Sequence, residues 1–304
     1  CCSPAERAAG TMWTRLVCLI LTLDIHAATA MAAGKALTKA LGSSARRPVI
    51  VHVYDRDPDA LEEYAIDEVS EACRKAGATA MLVTPALVRA MAQEQEAQRG
   101  NFPGPVPVIA DCALSDMQGD GATELVSGAK ALGAAGIGIR YYLGDWPEAA
   151  ALEEALTTAV AAAEQAELAT ILLGEFGADG AEGAPEGASD LASRVGAAAA
   201  LLKDAPDSSP NSAALGCWDG TPDALERLKA AGFSGLILKD ACRGNVALGA
   251  RVKSPSIAAQ LVTRAVKAAL SKGSKTVWGG AGRVSEGGSS SGGSLDDYFN
   301  QRGL

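Results

Sequence analysis

Residues 123–142 read TELVSGAKALGAAGIGIRYY, and their reading decides the fold. Near Thr123–Leu132 the apolar residues recur at helical spacing, and Gly136–Tyr142 is then a short apolar run. The same unit recurs in both directions. Upstream, Val49–Tyr54 (VIVHVY) reads as a strand, Asp59–Ala76 as a helix that Ala76-Gly77 ends, Ala80–Thr84 (AMLVT) as a strand and Ala86–Gln98 as a helix. Pro107–Asp111 (PVIAD) is the strand before the opening stretch. Downstream come the Ala-rich helix Pro147–Ala166, the strand Thr170–Gly174 (TILLG), a Gly/Ala/Glu-rich loop and a helix over Ser189–Lys203. Ala213–Cys217 (AALGC) precedes the helix Pro222–Ala231, Gly235–Lys239 (GLILK) is the last strand, and Ser256–Ser271 closes as a helix.

Short apolar runs between helices are what parallel strands buried on both faces look like. Units of roughly 30 residues imply right-handed crossovers, hence the α/β class. A closed (β/α)8 barrel and a doubly wound open sheet both fit. No G-x-G-x-x-G follows the first strand and no P-loop occurs, so the nucleotide-binding open sheets lose their usual marker.

The 304 residues are 48% hydrophobic and 21% charged, which reads as globular and ample for a sizeable core. A net charge of −9 supplies no basic surplus to neutralise phosphates, which argues against nucleic acid as a partner. Cys73, Cys112, Cys217 and Cys242 form no C-x-x-C pair and read as free thiols of a reducing compartment. With only His26 and His52 and no H-E-x-x-H, no metal site is expected, and no cofactor either.

Residues 1–47 read as a leader. From Met12 there follow a short basic region, the apolar run Leu16–Leu23, too short to span a bilayer, and an Ala28-Thr29-Ala30 cleavage pattern. The stretch from Met31 to Arg47 has Lys, Arg, Ser and Ala but no acid, which is transit-peptide composition. Signal plus transit is the pattern of import into a plastid of secondary origin; the alternatives are a membrane-facing or merely translated leader and an amphipathic first helix of the mature protein. Residues 48–272 read as the barrel-like domain and 273–304 as a Gly/Ser-rich tail. Leu295, Tyr298 and Phe299 near its end form a motif able to dock in a partner's groove.

Four stretches together resemble indole-3-glycerol phosphate synthase, a TIM barrel of tryptophan biosynthesis. Val51–Asp59 (VHVYDRDPD) is similar to that family's A-E-[IV]-K-x-x-S-P-S, and Pro107–Gln118 (PVIADCALSDMQ) to P-V-L-x-K-D-F-I-I-D-x-x-Q. Ala129–Ile139 resembles E-A-R-x-x-G-A-D-A-[IV]-L-L-I. Trp218–Asp223 (WDGTPD) with Leu228–Leu238 resembles E-S-G-I-x-T-P-E-D and the strand that follows it. The resemblance covers most of Val49–Asn245 and implies a (β/α)8 TIM-barrel-like fold, with one βα unit missing or hidden as an irregular strand in the loop Phe176–Ala188.

The departures bear on function. The resemblance places a general-acid lysine where Ala110 stands and a substrate-holding lysine where Tyr54 stands. His52 and Trp218 replace two glutamates, Asp57-Pro58-Asp59 replaces the substrate-binding turn, and Lys239-Asp240-Ala241 lacks the glycine of a phosphate cradle. Losing acid, base and phosphate turn together removes most sources of rate enhancement. Strand ends on the C-terminal face are the usual site of a barrel. There the catalytic candidates are His52, as a base with Asp111 or Glu175 as partner, and Lys239; the ligand-binding candidates are Tyr54, Arg140, Tyr141, Trp218 and Asp219. The reading that results is a catalytically degenerate barrel serving as a structural or binding subunit among other proteins of a plastid complex, with a small-molecule ligand permitted and no membrane span in the mature chain. The alternatives are an active synthase and a barrel enzyme acting on another substrate.

Overall fold

The computed structural model describes residues 33–43, 46–53, 66–146, 148–175, 188–202, 213–219, 221–239 and 255–271. A helix α1 over 33–41 comes first. It is followed by β1 (Val49–Val53), α2 (Ile66–Ala76), β2 (Ala80–Val83), α3 (Pro85–Ala97), β3 (Val108–Ala113), α4 (Gly121–Ala131) and β4 (Gly136–Arg140). Then come α5 (Ala149–Gln165), β5 (Ala169–Gly174), α6 (Ala188–Val195), β6 (Ala199–Leu202), β7 (Ala213–Trp218), α7 (Pro222–Ala230), β8 (Gly235–Leu238) and α8 (Pro255–Leu270). Each strand pairs in parallel with the next, and β8 pairs with β1, which closes an eight-stranded (β/α)8 barrel.

Several helices end in the same way. Gly133, at φ +98°, follows α4, and Ala134 N–H returns to Ala129 C=O at 3.0 Å. This is a Schellman stop, which glycine permits because it has no Cβ to clash at positive φ. The backbone repeats it after α2 (Ala78 N–H to Cys73 C=O, 2.9 Å) and α6 (Ala197 N–H to Ala192 C=O, 2.9 Å). After Gly77, Gly133, Gly196 and Gly232, all at positive φ, a strand begins at the third residue on: Ala80, Gly136, Ala199 and Gly235.

That geometry corrects two expectations. The stretch Ser189–Lys203 is not one helix: α6 stops at Val195, and Ala199–Leu202 is β6, fully buried between β5 and β7. Alanine's helix propensity favours the long helix locally, but Gly196 breaks it and the vacant place in the barrel takes the rest. No strand is missing, and the extra one does not come from the loop after Phe176, whose residues 176–187 lie outside the described residues, as do 203–212 between β6 and β7.

Alternation along each strand sorts its side chains into two buried sets. Ile50, Ala80, Leu82, Ile109, Ala169, Ile171, Leu173, Ala199, Leu201, Leu215 and Ile237 fill the barrel interior. Val49, Val51, Val53, Met81, Val83, Val108, Ala110, Ile137, Ile139, Leu172, Leu236 and Leu238 pack outward against the helices. Among the described residues the interior is therefore a packed apolar core. Among the described residues no helix is long and apolar enough to cross a membrane.

Candidate functional site

The phase that places Ile50 and Ile109 inside the barrel also places His52 and Asp111 inside, one layer nearer the C-terminal mouth. Both are almost fully enclosed, each 3% exposed. Arg140, at the end of β4, reaches this layer from the rim: its Nε–H donates to Asp111 Oδ1 at 2.7 Å. Asp111 pairs across the sheet with Gly138, where a Cβ would stand 2.8 Å from Leu173 Cδ1 and 2.9 Å from Leu82 Cδ1, so the two leucines occupy the space a side chain would need. Burial pushes the Asp111 carboxyl up from its ordinary value, while Arg140 and His52 pull it back. For Arg140, burial opposes the charge, but the Asp111 carboxylate and then the Tyr142 phenol outweigh it and hold the guanidinium charged. The result is a buried ion pair with an imidazole beside it, under a rim on which Tyr142 and Leu143 are the exposed apolar side chains.

The remaining candidates go to different places. Glu175 sits half-buried at the end of β5 and its Oε1 accepts the Leu143 N–H at 3.4 Å. Lys239 follows β8, half-buried, with its backbone N–H on Trp218 C=O at 2.9 Å. Asp219 is exposed and spends one carboxylate oxygen on Thr221, accepting from its N–H and its Oγ1–H at 2.8 Å each. It shapes the turn into α7, where Thr221 in turn caps the Ala224 N–H. Tyr54, Leu295, Tyr298 and Phe299 lie outside the described residues.

Strand parity turns three residues away from the barrel interior. Trp218 and Tyr141, ligand-binding candidates in the sequence, are both buried in the layer between sheet and helices. Trp218 is the last residue of β7, one place out of phase with the interior, and its Nε1–H donates to Thr221 C=O at 2.7 Å. Tyr141 continues the β4 alternation outward, and burial, then the Glu175 charge, pushes its phenol up to about 12. Ala110, paired by resemblance with the general-acid lysine, also faces the helices; the interior residue of that stretch is Asp111. The sequence named Asp111 and Arg140 in separate roles. The missed signal is that both stand on interior positions at the C-terminal ends of adjacent strands, where opposite charges must meet.

Cys112 faces outward next to this layer. Burial, then the Asp111 charge, pushes its thiol up to about 12, so almost no thiolate exists near neutrality. Native protein treated with iodoacetamide at pH 8 should leave Cys112 unmodified, with labelling only after denaturation, as read by peptide mass spectrometry. Among the described residues no three His, Cys, Asp or Glu side chains converge to hold a metal.

The barrel recurs among solved structures. The tryptophan synthase alpha chain from Legionella pneumophila subsp. pneumophila aligns at 12% identity and a TM-score of 0.50, over 78% of this chain and 97% of its own. A 2,3-dimethylmalate lyase, a member of the PEP mutase/isocitrate lyase superfamily, aligns at 17% identity and a TM-score of 0.49, over 75% and 84%. An oxaloacetate acetylhydrolase holding its product oxalate aligns at 15% and 0.49, over 68% and 80%. The chain is a TIM barrel. At these identities the likeness extends to fold alone. No protein-family model matches the chain, and no curated protein matches it.

Proposed function

We propose that this chain is a barrel of the indole-3-glycerol phosphate synthase type that has lost its chemistry and serves as a structural or binding subunit of a larger assembly. The observation that carries this is the pairing of Asp111 with Arg140 among the described residues of the mouth. Asp111, the interior neighbour of Ala110, where the resemblance places a general acid, is tied at 2.7 Å to Arg140. Asp219 is spent on a turn, and Tyr141 and Trp218 face the helices. Burial holds the Asp111 carboxyl above its ordinary value, but its Oδ1 is occupied by the Arg140 Nε–H and not left open; general acid–base catalysis, worth about 10²–10⁴-fold, needs such a group to reach the substrate.

The experiment is turnover of 1-(2-carboxyphenylamino)-1-deoxyribulose 5-phosphate by the full chain. No indole-3-glycerol phosphate above the uncatalysed background is expected. Robust product formation ends the proposal in favour of an active synthase. The role in an assembly predicts a stoichiometric protein partner that is lost when residues 294–304 are deleted. The plastid setting rests on the composition of the leader, and a fluorescent fusion of the full chain that stays outside plastids removes it.

A further inference from the structure

We infer that helix α1 is a permanent part of the mature protein, its floor, and that leader removal stops upstream of it by hydrolysis of the Ala30–Met31 bond. Water adds across that amide under a protease of the signal-peptidase class, leaving a carboxylate on Ala30 and an ammonium on Met31. The Ala28-Thr29-Ala30 pattern supplies the small residues such a protease reads, and it lies just ahead of residue 33, the first described residue of the helix.

Four observations place α1 in the fold. Its buried residues Gly34, Leu37 and Leu41 recur at helical spacing, while Lys35, Ala36, Thr38 and Lys39 are exposed. Leu37 and Leu41 are each 1% exposed, and they belong to the cluster inside the barrel with Ile50, Ala80, Ile109, Ala135, Leu215 and Ile237, not to the layer outside it. The N-terminal end of the barrel is built of small residues that leave this space. A Cβ added at Gly136 would stand 3.2 Å from Leu37 Cδ2. Finally, the backbones touch: a Cβ at Gly34 would lie 2.1 Å from Glu167 C=O, a distance no other residue tolerates, and Lys35 Nζ meets the Glu167 carboxylate at 2.7 Å from the side.

Removal of the whole stretch through Arg47 would open the floor and expose the lower interior to water. The acid-free composition that reads as a transit peptide is thus also that of a helix with two outward lysines and a leucine plug. A cut after Ala30 keeps every described residue of the helix.

Intact mass and N-terminal sequencing of the mature protein from the cells that make it should give Met31 as the first residue. A chain beginning anywhere from Ala33 to Pro48 overturns the retention of α1, and a chain still carrying Met12–Ala30 overturns the cut. Thermal melting of the chain starting at Met31 tests the floor separately. Leu37→Asp should lower Tm by about 10 °C or more, while Lys39→Asp, on the exposed face, should stay within about 2 °C of the parent. Should Leu37→Asp not accumulate as folded protein, Leu37→Ala reads the same contact with a drop of several degrees. Equal melting of the Leu37 and Lys39 variants overturns the plug.

Discussion

Trp218→Ala should lower the melting temperature by about 10 °C, because replacing a buried tryptophan with alanine removes about 3–5 kcal/mol and each kcal/mol is worth roughly 2–4 °C in a domain of this size. Trp218 is fully enclosed in the layer between the sheet and the helices. Its indole also ties the end of β7 to the start of α7 by the bond to Thr221 C=O at 2.7 Å. That carbonyl belongs to the residue that caps α7, so truncation loosens both packing and cap. Trp218→Phe separates the two: it keeps most of the ring volume and loses only the N–H, which should cost about 1 kcal/mol. A ligand-contacting tryptophan would give the opposite result, with an unchanged Tm for the alanine variant. Differential scanning fluorimetry of the two variants beside the parent decides it.

The tryptophan shows how the sequence misleads about a site even where it is right about a fold. The repeat of helix and apolar run was legible, and seven of the eight strands were found near their observed places, because strands buried on both faces carry a strong apolar signal. Beta-6 escaped because four alanines in a row satisfy a helix as well as a buried strand. What distinguishes them is the glycine at the third place before the strand, a spacing shared by Gly77, Gly133, Gly196 and Gly232. The side on which a residue falls is harder to read. A strand ending drawn at Cys217 leaves Trp218 on a loop and free to face a ligand; one more residue of strand turns it toward the helices. A site on strand ends depends on that parity at every position, and apolar periodicity is silent where both faces are buried. Helix α1 is legible in the sequence only as an alternative to a leader. Its basic, alanine-rich composition describes a leader, and the 34, 37, 41 spacing acquires meaning only once a barrel with an open floor exists to receive it.

Arg140→Met should be among the most damaging single changes at the mouth, with a loss of about 3–5 kcal/mol at neutral pH, since it leaves a buried carboxylate without its counter-charge. Asp111 is 3% exposed and cannot turn to water without opening β3. Burial already pushes its carboxyl up, and Arg140 is the first of the groups that hold it back, so the variant's Asp111 should move further up. The sign follows from linkage. A carboxyl raised in the folded state binds its proton more tightly folded than unfolded, so stability is fully present below the ordinary aspartate range and is lost as pH rises through the folded value. The deficit of Arg140→Met against the parent should therefore be small at acid pH and grow toward neutrality. Asp111→Leu in the Arg140→Met background removes the stranded charge altogether. Replacing a buried ion pair by apolar groups of similar size is often neutral or stabilising. The double variant should thus regain most of the lost stability and lose the pH dependence, which urea denaturation across pH 4–8 would read directly. If Arg140→Met matched the parent at pH 7, or if its deficit shrank as pH rose, the ion pair would not be what holds this layer of the barrel together.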